Sequence, residues 1–229
     1  MTRLWNNLLN LFFPNLCKIC GSPLVEGEEQ ICLRCLCDLP HTYYHRKANN
    51  PAEQLFFGKN RIEHASAFLR YEKGGKTQKL VHSLKYYDNK EVGYLLGRQA
   101  ARELLADRSP LIEVDLLIPV PLHPRKERKR GYNQSEWIAR GLSSVLHIPI
   151  DKGSLARVSF TNTQTRKGVF ERWTNVCSIF QVSQPDKLRD KHVLLVDDVI
   201  TTGATLSACA EALSTVPGIR ISVFALSIA

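Results

Sequence analysis

Apolar residues recur along this chain in two rhythms. Short runs dense in Val, Ile and Leu read as buried strands: Ala65–Tyr71, Leu116–Ile118, His192–Val196 and Ile219–Leu226. Between them the spacing switches to i, i+3, i+4, which predicts helices over Thr77–Tyr86, Lys90–Ala106, Asn133–Leu146 and Thr205–Val216. The second helix places Val92, Leu95, Leu96, Ala100 and Leu104 on one side, and the third carries Ile138, Leu142 and Val145. Strands that alternate with helices predict a parallel sheet covered on both faces. No internal repeat and no low-complexity stretch interrupts the pattern.

Two segments fall outside that rhythm. Trp5, Leu8, Leu9 and Phe12 form a short apolar stripe at helical spacing, ended by Pro14. Asn6, Asn7 and Asn10 break it, so it reads as an amphipathic helix docked on its own protein rather than a secretory signal. Shallow membrane association is the other reading. The stretch 42–63 is polar and broken by Pro51 and Gly58, which reads as a linker. The expected organisation is therefore 1–41 for the N-terminal module, 42–63 for the linker and 64–229 for the α/β domain.

The chain has 229 residues, 44% hydrophobic and 23% charged, an ordinary globular balance. No apolar run reaches the ~18 residues of a membrane span, so a cytoplasmic protein is expected. A net charge of +9 points to anionic partners without choosing among phosphorylated metabolites, nucleic acid and membrane. Five of the seven cysteines crowd between Cys17 and Cys37. Cys17 and Cys20 form one CxxC and Cys32 and Cys35 a second, with Gly21 placed for a knuckle turn. Two such turns close a four-thiolate site, whose expected occupant is structural zinc, with iron as the alternative. Cys37, His41 and His45 are substitute ligands of lower rank. A thioredoxin-like motif would need a single CxxC at a helix start. Cys177 and Cys209 read as small buried residues.

The segment His192–Thr205 concentrates the chemistry. It reads as a buried strand, then Asp197 and Asp198, then Thr201, Thr202, Gly203 and Ala204 leading into a helix that begins near Thr205. Ligands of open α/β sheets bind at strand carboxyl ends. Amides at a helix start, with hydroxyls beside them, cradle a phosphate. Carboxylates suit sugar hydroxyls or a bridging Mg²⁺. A sugar diol plus a terminal phosphate describes a ribose 5-phosphate. Gly75-Lys76-Thr77 ends like a nucleotide-binding P-loop, but the place of that motif's first glycine is Arg70.

VLLVDDVITTGAT resembles the phosphoribosyl-diphosphate signature of type I phosphoribosyltransferases. With CxxCG near the start, VPLHPRKERKRGYNQS in the middle, and Thr163-Gln164-Thr165 followed by ERWTN, nearly the whole chain is similar to the ComF family. That resemblance implies a type I phosphoribosyltransferase-like sheet flanked by helices behind a small zinc ribbon. It assigns Asp197 and Asp198 to the ribose hydroxyls and Mg²⁺, and Thr201, Thr202, Gly203, Ala204 and Thr205 to the 5-phosphate. Val120 takes the strand-end loop near the pyrophosphate. Arg157 through Arg172 become a lid with Thr163, Gln164, Arg166 and Arg172 as contacts. Arg166-Lys167 stands where the family has a small apolar residue, a departure that bears on the lid.

Arg125, Lys126, Arg128, Lys129 and Arg130 form a basic run with three readings: pyrophosphate neutralisation, with Arg128 and Arg130 preferred; a nucleic-acid track helped by Tyr132 and Trp137 stacking; or a solvated face. Lys85 is a further anion contact. Phosphoribosyl transfer needs no side-chain nucleophile, so none is assigned. No glutamine-hydrolysing domain is expected. Two functions compete: an enzyme that transfers phosphoribose to an unknown acceptor, and a non-catalytic module that binds phosphoribosyl diphosphate or single-stranded DNA for competence machinery. No helix-turn-helix pattern supports a regulator.

Overall fold

The computed structural model describes residues 14–86, 89–158 and 179–229. The N-terminal apolar stripe, Cys177 and the lid candidates Thr163, Gln164, Arg166 and Arg172 lie outside the described residues. In chain order the elements are α1 (Leu33–Cys37), α2 (Pro51–Gln54), β1 (Ala65–Arg70), α3 (Lys76–Tyr86), α4 (Lys90–Ala106), β2 (Leu116–Pro119), α5 (Pro124–Arg130) and α6 (Gln134–Leu146). They continue with β3 (Leu155–Arg157), β4 (Phe180–Val182), α7 (Pro185–Leu188), β5 (His192–Ile200), α8 (Ala204–Leu213) and β6 (Arg220–Ile228). Among the described residues no helix is long and apolar enough to cross a membrane.

Four strands form one sheet in the order β1-β6-β5-β2, every neighbouring pair parallel. The central strands are apolar almost without a break because both of their faces are covered. The period of two still shows in the packing. Leu194, Val196, Phe224 and Leu226 join one core cluster with α3, α4 and α6. Val193, Leu195, Val223 and Ala225 join the other with Leu206, Cys209 and Leu213 of α8. On the first face, α4 and α6 approach at paired glycines. A Cβ on Gly141 would lie 2.2 Å from the Tyr94 carbonyl, and one on Gly97 would lie 2.3 Å from that of Ile138. Only glycine lets two helix backbones meet so closely.

Extended backbone covers both outer edges of the sheet. Residues 149–151 bond Leu117 on the far side of β2, and Thr42 donates to the Phe68 carbonyl beyond β1. This satisfies the edge groups that would otherwise template association. The stretch expected as a linker, 42–63, carries a short 3-10 turn at Tyr44–Arg46 and α2, and seats Phe56 in the core. Its anchor is Asn50, which is buried. The Asn50 Nδ2 donates to the Ala65 carbonyl at 2.9 Å, while Oδ1 accepts from Ala52 N at 2.9 Å as the cap of α2. One polar side chain satisfying several backbone groups leaves no periodic trace in sequence.

Three further elements carry no signal in the sequence pattern. The basic run is helical as α5, capped by His123 and ended at Gly131 with φ +80°. The short strands β3 and β4 pair antiparallel as a separate two-stranded sheet.

Candidate functional site

The carboxyl ends of β2 and β5 lie side by side, with Pro119 in register with Val196. Asp197 and Asp198 follow at this edge, both half-buried. Asp197 Oδ1 accepts from Ser135 Oγ at 3.0 Å and from the Asp198 amide at 2.9 Å. Burial and the neighbouring Asp198 carboxylate raise the Asp197 pKa to about 7, and these two hydrogen bonds and Lys85 hold it from rising further. Asp198 Oδ2 lies 3.1 Å from Lys85 Nζ, at the end of α3. The pair thus presents one cation-balanced carboxylate and one that changes protonation near neutrality.

The loop after β5 turns directly into α8. Gly203 is its N-cap with φ +74°, a conformation that L side chains resist. A Cβ there would also meet Leu55 Cβ at 3.4 Å. Thr201, Thr202, Ala204 and Thr205 are exposed around the first turn of the helix. The Ala204 amide reaches Thr202 Oγ1 at 3.4 Å. The remaining first-turn amides have no partner within the helix, and the positive end of its dipole lies among them. An anion with several oxygens fits this arrangement.

Val120 follows β2 and is buried. Its amide donates to the Val196 carbonyl at 2.9 Å and its carbonyl accepts from Asn133 Nδ2 at 3.0 Å, so the residue braces the loop. Asn133 also caps α6 by accepting from Ser135 N at 3.1 Å, and so places the Ser135 hydroxyl against Asp197. Arg130 is half-buried and donates to Gln134 Oε1 at 2.8 Å, whereas Arg128 is exposed on α5. Arg157 sits on β3 with its guanidinium 5.4 Å from the centre of the Phe180 ring. The stacking platform expected for bases is not available at Tyr132, whose ring is buried and whose hydroxyl donates to the Leu84 carbonyl. Trp137 already faces Arg140 at 4.7 Å and Lys90 at 5.3 Å.

The expected site residues from β5 to α8 therefore gather at one edge of the sheet. Lys85, weighed only as a loose anion contact, pairs with Asp198 at this edge. Ser135 and Asn133 carried no signal of their own, because a serine or asparagine at a helix start is also an ordinary cap.

The four-cysteine cluster is a second, separate centre. The Sγ atoms of Cys17, Cys20, Cys32 and Cys35 all lie within 4.8 Å of one another. Cys20 and Cys32 are 3.8 Å apart, about the edge of a tetrahedron with 2.3 Å metal–sulfur bonds. Gly21 has φ +74° and closes the first knuckle with its amide on the Cys17 carbonyl at 2.9 Å. The Cys32 amide lies 3.4 Å from Cys17 Sγ, a donor that favours thiolate. Crowding spreads the acidities, with Cys20 lowered to about 6 by Ser22 and Cys35 raised to about 12 by burial and the thiols of Cys32 and Cys20. A divalent cation would take all four as thiolates, and the donor set fits one. The substitute ligands are otherwise engaged. His41 Nδ1 is 2.7 Å from Glu103, His45 Nε2 is 2.6 Å from Asp107, and Cys37 is exposed outside the cluster. Cys209 is a buried thiol of the sheet core, its pKa pushed well up by burial.

Comparison with known proteins places this geometry. The DNA utilization protein YhgH of Shigella flexneri is 29% identical over 217 residues, 89% of this chain and 92% of that one. Competence protein F of Haemophilus influenzae is 34% identical over 114 residues, 49% of this chain and 50% of that one. Among solved structures, the glutamine phosphoribosylpyrophosphate amidotransferase from B. subtilis aligns with a TM-score of 0.41 at 19% identity. That alignment covers 62% of this chain and 30% of the amidotransferase. The phosphoribosyl transferase domain model matches residues 92–226, which run from α4 to β6 and include both aspartates and the loop into α8. The chain belongs to the phosphoribosyl transferase domain family, and a four-cysteine cluster precedes the matched domain.

Proposed function

We propose that this protein binds phosphoribosyl diphosphate with Mg²⁺ at the carboxyl edge of β5 and transfers phosphoribose to an acceptor. The observation that carries this reading is the succession from the end of β5 into α8: two half-buried aspartates, exposed threonines and a positive-φ glycine. In it, Thr201, Thr202, Gly203, Ala204 and Thr205 hold the 5-phosphate through hydroxyls and helix-start amides. Asp197 and Asp198 hold the ribose diol. Asp197 is suited to a hydroxyl, because a carboxyl poised near neutrality can donate as well as accept. Magnesium, when bound beside them, would lower the charge on the departing diphosphate. In the transfer the C1–oxygen bond to diphosphate breaks, the diphosphate leaves with its electrons, and the acceptor's lone pair forms the new bond. Positive charge builds on the ribose ring, and the Lys85-paired Asp198 carboxylate is the negative group proposed to stabilise it. Arg128, Arg130 and Arg157 are proposed as diphosphate contacts. Val120 acts only by holding the loop, and Thr163, Gln164 and Arg172 complete the proposed set.

Zinc is the proposed occupant of the four-cysteine cluster, with a folding role, since four protein ligands leave no open position. A cysteine cluster arranged for a metal suits a reducing compartment, and cytoplasmic location is part of this reading.

Calorimetric titration with phosphoribosyl diphosphate and Mg²⁺ tests the reading, repeated on Asp197→Ala and Asp198→Ala. Micromolar binding by the parent and at least tenfold weaker binding by both variants are expected. Absence of binding by the parent would remove it. An acceptor screen that reads diphosphate release then identifies the second substrate.

A second reading, a non-catalytic module acting on single-stranded DNA in competence, is favoured by α5, whose cations Arg125, Lys126, Arg128 and Lys129 are all exposed. The names of the relatives from Shigella and Haemophilus point the same way. Binding of phosphoribosyl diphosphate without diphosphate release to any acceptor, together with salt-sensitive affinity for single strands, would favour this module.

A further inference from the structure

We propose that Lys85 is a ligand-binding residue of the aspartate site and that the four-cysteine module sets its position through helix α3. The first half of this proposal rests on the phosphoribosyl diphosphate reading. The second half rests on contacts within the chain alone.

Helix α3 joins the two centres. At its far end Lys85 Nζ meets Asp198 Oδ2 at 3.1 Å, with both side chains mostly shielded from solvent. At its near end Lys76 pairs with Asp38, the residue that ends α1 one position after Cys37. One turn on, Lys79 Nζ donates to the Ile19 carbonyl at 3.3 Å, inside the first cysteine knuckle. Leu80 and Leu84, both fully buried, share a continuous apolar cluster with Cys17, Ile19, Ile31, Cys35 and Leu39 of the module. Nine residues of helix, about 13 Å, separate the Lys76 end from Lys85.

The helix needs that support. Eleven residues make an isolated helix marginal in water, so its tertiary contacts decide where it lies. Its first turn holds no acidic residue and carries Lys76, whose charge opposes the positive end of the helix dipole. Asp38 of the module supplies the missing negative charge. Cys32 and Cys35 flank the start of α1 in the four-cysteine cluster, so an ion held by that cluster would fix α1 and, through it, Asp38. Loosening the module should therefore let the helix, and with it Lys85, drift from Asp198.

Lys85 faces a carboxylate assigned to the sugar and its cation. A ligand with a 5-phosphate and a diphosphate brings several negative charges to this edge. Lys85 then exchanges partners, releasing Asp198 to the ligand's hydroxyls and giving its ammonium to a phosphate oxygen. A point charge on a flexible stem suits such an exchange. Asp38, Lys76 and Lys79 are positioning residues for it.

The test uses the full metal-loaded chain and two readouts. In calorimetry with phosphoribosyl diphosphate and Mg²⁺, Lys85→Met is expected to bind at least tenfold more weakly, and Lys85→Arg within about threefold of the parent. The double variant Asp38→Ala with Lys79→Met should weaken binding about fivefold when Lys85 is present. In the Lys85→Met background the same pair of changes should have no further effect, because the positioning acts through that side chain. Equal losses in the two backgrounds would overturn the positioning role, and parent-like binding by Lys85→Met would overturn the ligand role. Hydrogen exchange of the amides of 81–86 provides the second readout without ligand. Asp38→Ala with Lys79→Met should speed it severalfold, and unchanged rates would end the claim of coupling. If the parent fails to bind phosphoribosyl diphosphate, the functional reading and the ligand role of Lys85 fall together. The exchange rates still decide whether the module governs α3.

Discussion

Ser135 Oγ donates a 3.0 Å hydrogen bond to Asp197 Oδ1 across 62 residues of sequence. The serine is the first-turn residue of α6, held by the Asn133 cap, so the start of one helix orients the carboxylate at the end of β5. Ser135→Ala should cost about 1 kcal/mol of folding stability, the worth of one buried hydrogen bond. Phosphoribosyl diphosphate affinity should fall about fivefold, while Ser135→Thr keeps the hydroxyl and most of the affinity. Denaturant titration and calorimetry measure the two effects; parent-like affinity in the alanine variant would dismiss the orienting role.

Asp197 also makes stability depend on pH in an unusual direction. Its pKa is raised from 3.8 to about 7 by burial and Asp198, so the folded chain retains a proton that the unfolded chain has lost. Between those values the folded state binds more protons, and the contribution of Asp197 to stability falls as pH rises. The loss starts near pH 4 and is complete above about pH 7. Asp197→Asn removes the effect. The stability difference, variant minus parent, should grow from pH 4 to pH 7 and then level off, as read by denaturant midpoints across that range. A difference that stayed flat would show that Asp197 titrates at an ordinary carboxylate value.

The described cysteines divide into a four-thiol cluster and two outside it. Cys20→Ser should lose most of its bound metal and lower the thermal midpoint by about 10 °C, equivalent to about 3 kcal/mol in a chain of this length. The drop is expected because Ile19, Ile31 and Leu39 of the module belong to the core shared with α3 and α4. Cys37 is exposed outside the cluster, and Cys37→Ser should keep both metal content and midpoint. Elemental analysis with thermal melts distinguishes the two. Equal metal loss in both variants would mean the ligand set is misassigned.

The contact between α4 and α6 has no room for a methyl group. Gly141→Ala would drive its Cβ to 2.2 Å from the Tyr94 carbonyl and to 2.9 Å from Gly97 Cα, both backbone atoms that cannot rotate away. Overpacking of this kind costs about 1–3 kcal/mol. Because α6 carries Ser135, the displacement should also weaken ligand binding, whereas Gly131→Ala on the open turn after α5 should pay only for its positive φ. A parent-like unfolding midpoint for Gly141→Ala would refute the close approach.

The local sequence determined much of this protein. The strand, acid pair, threonine–glycine turn and helix of the β5–α8 segment are contiguous, so their order alone placed Asp197 through Thr205 at a strand end facing a helix start. The four cysteines were legible for the same reason, since CxxC spacing closes a turn by itself. Tertiary structure decided what reaches those elements from far away. Lys85 arrives at Asp198 and Ser135 at Asp197 only because the parallel sheet brings the ends of α3 and α6 to the carboxyl edge of β5. Asn50 and Phe56 turned a polar stretch into packed structure through bonds and burial that follow no period. The three-residue strands β3 and β4 are too short for alternation to register, and they exist because each finds the other. Periodicity and spacing encode contacts between near neighbours in the chain. Pairings between distant residues are settled by the geometry of the assembled sheet, which no local window contains.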